Sequence, residues 1–268
     1  MRFVVLMLLA GLFGGLVHPA YAEDPVALAK VYGKDADISA FDLSPSGTKV
    51  AYIMQKDGER YVVASELATF QTIASIKIED YLITDLSWAN EETILMFAII
   101  AEAKEAIHQG RAGATTYAVH LKQKRIVPLL SGKKGQTRQY AMGTIDARDE
   151  SGKFVYMPGW SMDNAGIREY DLFKVSLSHG KGVKQANGGP HTYDYIVTPK
   201  GEVVARANHD DVSNRLWFEV PGDLLEWRVV YEERLRIPSC GLSSIPPDYK
   251  QLVMSCNSDS KMGSSYRT

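Results

Sequence analysis

A strand-turn-strand phrase recurs along this 268-residue chain, and such a repeat constrains the fold more than any single motif does. The first copy, residues 41–53, has an apolar strand, a turn containing Pro45 and Gly47, and a second apolar strand. Copies recur at intervals of about 50 residues, so each one opens a structural unit of that length. The later copies lie at residues 85–97, 145–156, 196–205 and 241–254.

Each unit continues with a third strand and often a fourth. Residues 116–121 and 125–129 form such a pair in the second unit, and the third strands alternate enough to bury one face. Four strands at this period, arranged around an axis, predict an all-β fold: a β-propeller of about five four-stranded blades. The last blade is expected to be incomplete and the ring open. A β-sandwich is the main alternative, but it does not require one phrase to recur in every unit.

The N-terminus predicts export. An apolar run over residues 3–17 is followed by the small-residue segment Ala20-Tyr21-Ala22. This order is typical of a secretory signal peptide, here residues 1–22. An uncleaved membrane anchor is the alternative, although the run is short and broken by glycines for a membrane span. The protein is therefore expected in the periplasm or outside the cell.

The expected mature chain begins at Glu23, with a lead-in segment over 23–37 and a partial propeller over 38–268. Its later apolar stretches are too short to cross a bilayer, so no membrane contact is expected after cleavage. The formal net charge is −2, from 30 basic and 32 acidic residues, which argues against nucleic acid as a partner.

Two cysteines, Cys240 and Cys256, are expected to form a disulfide. Pairing is the usual state in an oxidising compartment. The midpoint between them falls in the turn-like segment 246–248, so a hairpin closed there places them opposite each other on neighbouring strands. Two buried free thiols are the alternative.

The segment Leu43-Ser44-Pro45-Ser46-Gly47-Thr48-Lys49-Val50-Ala51-Tyr52 resembles hairpins of two propeller groups. One is the N-terminal propeller of prolyl oligopeptidase-family serine peptidases, including dipeptidyl and acylaminoacyl peptidases; the other is the periplasmic propeller of the Tol system. The first resemblance is the better fit and covers most of residues 38–255. It implies a propeller that caps a C-terminal α/β-hydrolase domain and limits access of large substrates.

The sequence departs from that two-domain plan. An α/β-hydrolase holds its nucleophile in a G-x-S-x-G elbow, and this chain has no such motif. The nearest phrase, residues 159–163 around Ser161, ends in aspartate, and the polar tail over 258–264 lies within the fifth blade. No catalytic residue and no cofactor are therefore predicted, and the chain reads as truncated before the hydrolase domain.

A few histidine and aspartate residues are candidates for a binding site. The segment Asn208-His209-Asp210-Asp211 is the best cation candidate and is expected in the loop between the second and third strands of blade four. A structural role in the turn is the preferred interpretation, because such side chains commonly satisfy local backbone. His179 and His191 are expected in turns, so no metal site is predicted.

Glycine-rich and aromatic residues are interpreted structurally. The segments 132–135 and 188–189 are expected as turns between blades, because neither leads from a strand into a helix as a phosphate-binding loop does. Residues 101–108 are expected to form a short exposed helix, for which a binding role is the alternative. Wedges between blades are the preferred place for most of the tryptophans, which are Trp88, Trp160, Trp217 and Trp227.

Three functions remain open. The leading hypothesis is the substrate-gating and domain-contact portion of an exported prolyl oligopeptidase-like serine peptidase, whose partner is a C-terminal hydrolase domain and whose parent acts on peptides. The second is a stand-alone periplasmic binding or scaffold propeller resembling the Tol-system component, with a protein partner. The third is a remnant that cannot close its ring, since an open propeller exposes apolar blade faces.

Overall fold

The computed structural model describes residues 38–78, 82–99, 114–130, 140–141, 144–162, 168–222, 226–237, 239–244 and 251–256. The predicted signal peptide and lead-in segment (1–37), the predicted helix (101–108), the glycine-rich segment 132–135 and the polar tail (258–264) lie outside the described residues. None of the described residues belongs to a helix that is long and apolar enough to cross a membrane.

The described residues form antiparallel sheets, each of which we call a blade. Blade 1 has the strand order β1-β2-β3-β4, and blade 2 has the order β5-β6-β7-β8. The strands of blade 1 are β1 (Ile38–Leu43), β2 (Lys49–Lys56), β3 (Glu59–Glu66) and β4 (Thr72–Ile78). The strands of blade 2 are β5 (Leu82–Asn90), β6 (Thr93–Ile99), β7 (Ala114–His120) and β8 (Arg125–Pro128).

Blade 3 has the order β10-β11-β12-β13, with β9 also paired to β11; blade 4 has the order β14-β15-β16-β17, and blade 5 consists of β18 and β19. The strands of blade 3 are β9 (Tyr140–Ala141), β10 (Ala147–Arg148), β11 (Phe154–Met162), β12 (Arg168–Ser176) and β13 (Gly182–Ala186). Those of blade 4 are β14 (Thr192–Val197), β15 (Val203–Asp210), β16 (Arg215–Pro221) and β17 (Trp227–Arg234), and those of blade 5 are β18 (Cys240–Ser244) and β19 (Val253–Cys256).

Each blade buries one face against the next. Ala51 and Ala64 of blade 1 pack in one apolar cluster with Trp88, Met96 and Tyr117 of blade 2, so small side chains leave room for large ones. Similar clusters join blades 2 and 3, blades 3 and 4, and blades 4 and 5. First strands of neighbouring blades also touch, as β1 touches β5 and β14 touches β18. This succession confirms the predicted β-propeller.

The first blade shows that the ring is open. Its other face carries Phe41 and Leu43, which are 76% and 50% exposed. The β1–β2 pairing sets these residues opposite Tyr52 and Val50, so all four belong to one sheet face. No described blade covers that face, and the described blades therefore form an open partial ring, as predicted.

The recurring phrase forms the hairpin of the first two strands in each of blades 1 to 4, and the turns of these hairpins are linked. The backbone N–H of Ser46 donates to Glu91 at 2.7 Å, and the Asn90 amide donates to the Gly152 carbonyl at 2.7 Å. The Glu150 N–H donates to the Pro199 carbonyl at 3.2 Å. These bonds join four consecutive blades at one end of the propeller.

Blade 3 departs from a regular blade. Its first strand is split, because β9 pairs with Gly159 and Trp160 while β10 pairs with Val155 and Tyr156 further along β11. The sequence predicts a first strand directly before the turn at residues 149–152, and β10 supplies only two residues of it. The first strand of blade 3 therefore pairs with β11 in two short pieces, and residues 144–146 between them are not part of either piece.

In blade 5, Cys240 and Cys256 lie opposite each other on β18 and β19. They form a disulfide with an S–S distance of 2.02 Å and a sequence separation of 16. The bond closes the hairpin that the cysteine spacing led us to expect. Cys240 and Cys256 also pack against the cluster that joins blade 5 to Phe218 of blade 4.

Candidate functional site

A cleft of about 660 Å³ lies at the end of the propeller opposite the linked turns. It forms where β14 begins and β15 ends, and one wall is Trp160 of blade 3. The residues that give the cleft its chemical character are Trp160, His191, Tyr193, His209, Asp211 and Val212. Aromatic, imidazole and carboxylate groups therefore meet at the junction of blades 3 and 4.

His209 is held at the edge of the cleft by two neighbours, His191 and Asp211. Its backbone N–H donates to the His191 carbonyl at 2.8 Å. Its Nδ1 atom lies 3.1 Å from Oδ1 of Asp211, while Nε2 is buried and has no hydrogen-bond partner among the residues that the structure describes. A proton on Nδ1 satisfies this carboxylate and leaves Nε2 as an acceptor. The ring of His191, in turn, lies edge-on to Trp217 at 5.7 Å between centroids.

The sequence predicts that the segment 208–211 lies in a loop, but the structure places most of it in a strand. Asn208, His209 and Asp210 continue strand β15 and pair with β16, and only Asp211 lies in the turn. The reason is that Asn208 is engaged within the sheet: its amide donates to Glu219 at 3.1 Å, and its carbonyl accepts from Thr192 at 2.8 Å. Pairing in the ladder therefore extends past Asn208.

The carboxylate of Asp210 stabilises the turn that follows. It accepts hydrogen bonds from the Ser213 hydroxyl at 2.6 Å and from the Val212 N–H at 3.0 Å. These bonds lower the pKa of Asp210, the one from the Ser213 side chain most strongly. Among the described residues, no group of three or more His, Cys, Asp or Glu side chains is placed to hold a metal ion.

A polar network in blade 4 adjoins the cleft through Asn208, which accepts a hydrogen bond from the cleft residue Thr192 at 2.8 Å. Arg206 donates to Glu219 at 2.7 Å, and its guanidinium lies 4.0 Å from the centroid of the Trp227 ring. Trp217 donates its indole N–H to the second Glu219 oxygen at 3.0 Å. Glu219 therefore accepts hydrogen bonds from three side chains of blade 4, those of Arg206, Asn208 and Trp217. The shared acceptor holds these three side chains in a fixed arrangement.

Tyr193 is an aromatic residue of the cleft whose side chain is 40% exposed. Burial raises the pKa of its hydroxyl to about 12, and the charges of Asp194 and Glu233 add to the effect. The hydroxyl stays protonated at neutral pH, so it can donate a hydrogen bond to a ligand.

Ser161, the residue closest to a nucleophile motif in the sequence, is buried in β11. Its hydroxyl donates to Oδ2 of Asp171, which also forms an ion pair with Lys184 at 2.5 Å and is itself fully buried. The second Asp171 oxygen accepts from the Gly188 N–H at 2.9 Å. This arrangement fixes the connection to blade 4 and gives Ser161 a structural role.

The other candidates lie as follows. His179 is in the turn after β12, and Gly188 and Gly189 lie in the connection between blades 3 and 4, as predicted. Trp88 is buried between blades 1 and 2, whereas Trp160 is only partly buried at the junction of blades 3 and 4. Local sequence patterns do not connect Trp160 with His191 and His209, because Trp160 belongs to blade 3 and the two histidines lie at blade 4.

Comparison with known proteins finds similar solved structures but no matching family. No protein-family model and no curated protein matches the chain. The chain is similar to the β-propeller domain of the Trilobed protease from Pyrococcus furiosus, at 12% identity over 72% of this chain and 58% of that one, with a TM-score of 0.43. It is also similar to TolB from Acinetobacter baumannii, at 15% identity over 81% of this chain and 48% of that one, with a TM-score of 0.40.

A third similar structure is an acylaminoacyl peptidase, at 10% identity over 82% of this chain and 42% of that one, with a TM-score of 0.39. The chain thus spans about half the length of the solved structures it matches. At these identities the likeness concerns the fold alone. The β-propeller fold of this chain is shown by its own succession of four-stranded sheets.

Proposed function

We propose that this chain is the propeller portion of an exported serine peptidase of the prolyl oligopeptidase family, which gates substrate access, contacts the hydrolase domain and is not catalytic by itself. The sequence support is the hairpin at residues 43–52, which carries the resemblance and forms β1, β2 and their turn. The same hairpin opens blades 2, 3 and 4.

The observation that carries the proposal is the difference between the two ends of the propeller. At one end, the hairpin turns of blades 1 to 4 are hydrogen-bonded to one another, which suits a firm surface for a second domain. At the other end, the junction of blades 3 and 4 opens into the cleft. A module with one linked end and one open end can hold a neighbouring domain and admit a peptide.

The test is to read the coding sequence beyond the codon for Thr268 and to express the complete reading frame. A downstream G-x-S-x-G followed by Asp and His in hydrolase order is expected. The complete product should react with a fluorophosphonate probe, and its nucleophile-to-alanine variant should not. The 268-residue chain alone should remain unlabelled.

A reading frame without hydrolase coding would overturn the peptidase proposal. It would favour a stand-alone binding propeller, for which the cleft beside Trp160 and Tyr193 is the supporting observation. Export has a separate test: N-terminal sequencing of protein from the periplasm or medium should begin at Glu23. An unprocessed Met1 in the cytoplasmic fraction would contradict it.

A further inference from the structure

Leu43 in blade 1 holds the same place as Leu86 in blade 2 and Tyr195 in blade 4. Each of them follows an aspartate whose carboxylate accepts a hydrogen bond from that residue's own backbone N–H, at 2.9, 2.8 and 2.9 Å respectively. Leu86 and Tyr195 are both 3% exposed, because the preceding blade packs on them. Leu43 is 50% exposed, and no described blade precedes it. The open face of blade 1, which carries Phe41 and Leu43, therefore corresponds to a face that is covered in the later blades.

The covered junctions share one packing pattern. Small side chains of one blade receive large apolar side chains of the next blade, such as Trp88, Phe173 and Met254. The small residues of these junctions include Ala51 and Ala64 in blade 1, Ala89 and Ala118 in blade 2, and Ala207 in blade 4. A face that covers blade 1 is thus expected to carry small residues.

Blade 5 has a face of this kind. Gly241 and Ser255 lie opposite each other on β18 and β19, next to the Cys240–Cys256 pair. The two cysteines pack towards blade 4, so the alternation of side chains along a strand places Gly241 and Ser255 on the other face. Ser255 is exposed, and a Cβ added to Gly241 would meet no described atom within 4 Å. This open face of blade 5, which carries Gly241 and Ser255, has room for large side chains.

We propose that the open face of blade 1 docks onto the open face of blade 5 of a second copy of this chain. Phe41 and Leu43 enter the space beside Gly241 and Ser255, as large side chains pack on alanines in the covered junctions. Both faces are uncovered by the described residues of a single copy, so each copy offers one of each. Such a contact is heterologous and builds closed rings or open chains of copies. The inference does not depend on the peptidase proposal.

The test measures the mass of the chain from Glu23, the expected mature N-terminus, by analytical ultracentrifugation. The wild type should associate as its concentration rises to about 100 μM, where a contact with a micromolar Kd is populated. Phe41→Lys should weaken the association about tenfold or more, because it brings a charge into an apolar contact. Gly241→Arg should do the same from the other face, and its new side chain has open space in the single copy.

An equimolar mixture of the two variants identifies the contact. Phe41→Lys keeps an intact blade 5 face, and Gly241→Arg keeps an intact blade 1 face. The mixture should therefore form dimers and nothing larger, although each variant alone is monomeric. A contact of blade 1 with another blade 1 would leave Gly241→Arg as associated as the wild type, and this result would overturn the proposal.

Val183→Lys is the matched control, because it makes the same kind of change at another exposed apolar residue. Val183 lies on β13 of blade 3, apart from both open faces, and its variant should associate as the wild type does. A wild type that stays monomeric at every concentration would overturn the proposal. A mixture of Phe41→Lys and Gly241→Arg that forms no dimer would do the same.

Discussion

The junction of blades 1 and 2 and the junction of blades 3 and 4 have the same architecture but different chemistry. The first is an apolar contact in which the Trp88 indole is buried and its N–H is bonded to the Asp42 carbonyl at 3.0 Å. The second combines stacked tyrosines with the fully buried Asp171 and with Asp146, whose Oδ2 atom has no hydrogen-bond partner among the described residues. The first junction is held mainly by apolar packing, whereas the second also holds a buried carboxylate with its hydrogen-bond and ion-pair partners.

Replacement of Trp88 by alanine tests the packing junction and should have the largest effect. Trp88 is 2% exposed, so the loss of its buried surface should lower the free energy of unfolding by about 3 to 5 kcal/mol. Urea denaturation followed by tyrosine fluorescence measures it. Trp227→Ala is the control: its ring packs on Arg206 at the surface of blade 4, and the expected loss is about 1 kcal/mol.

Asp171→Ala tests the polar junction. The change leaves the Ser161 hydroxyl, the Gly188 N–H and the Lys184 ammonium without their acceptor. The free energy of unfolding should fall by about 3 kcal/mol, because a partner of a buried ion pair is lost. The same urea titration measures it, with the exposed Asp211→Ala as control. A loss no larger than that of the control would show that the buried carboxylate is not structural.

Asp149, in the hairpin turn of blade 3, adds a pH-dependent contribution. Burial opposes its ionisation, but hydrogen bonds from Ser151, Lys174 and Tyr156 outweigh it and lower the pKa from 3.8 to about 2. A lowered pKa stabilises the fold above pH 4, and this stabilisation is lost as the pH falls towards 2. Asp149→Asn should therefore cost about 2 kcal/mol at neutral pH.

Chemical denaturation at a series of pH values checks the Asp149 prediction. The difference between wild type and Asp149→Asn should shrink between about pH 4 and pH 2, because the wild-type carboxylate becomes protonated there. A difference that stays constant over this range would contradict the assigned role.

Glu91→Gln should have the smallest effect, although Glu91 links blades 1 and 2. The side chain accepts from the Ser46 N–H at 2.7 Å and pairs with Lys49 at 3.0 Å, but it is 40% exposed. Such a surface pair contributes about 0.5 kcal/mol, and salt weakens it further. Thermal unfolding at low and high ionic strength measures the effect. A salt-independent loss above 1.5 kcal/mol would mean that the polar links matter as much as the apolar core.

Local patterns in the sequence were enough to predict the strands and hairpins. The turn around Pro45 and Gly47 forms where the phrase places it, and Gly47 adopts a φ of 70° that suits glycine. The disulfide pairing is also foreseeable from the sequence, since the turn-like segment 246–248 lies midway along the chain between Cys240 and Cys256, and these residues face each other on β18 and β19. Both features depend on contacts between residues that are close in the chain.

The candidate site was less predictable. The segment 208–211 contains turn-forming residues, yet its first three positions join β15 because Thr192 and Glu219 supply partners from other strands. Neither partner is visible to a local pattern.

The sequence by itself determined the all-β class, the blade period and the order of the strands, since hydrophobic alternation and turn residues act over short distances. Only the tertiary structure decided which groups meet between blades: those of the cleft beside Trp160 and those around the buried Asp171. These groups come from separate repeats, and their burial depends on how one blade packs on the next. The first strand of blade 3 is split into β9 and β10, and Asp146 lies between the two pieces. Sequence periodicity did not reveal this split.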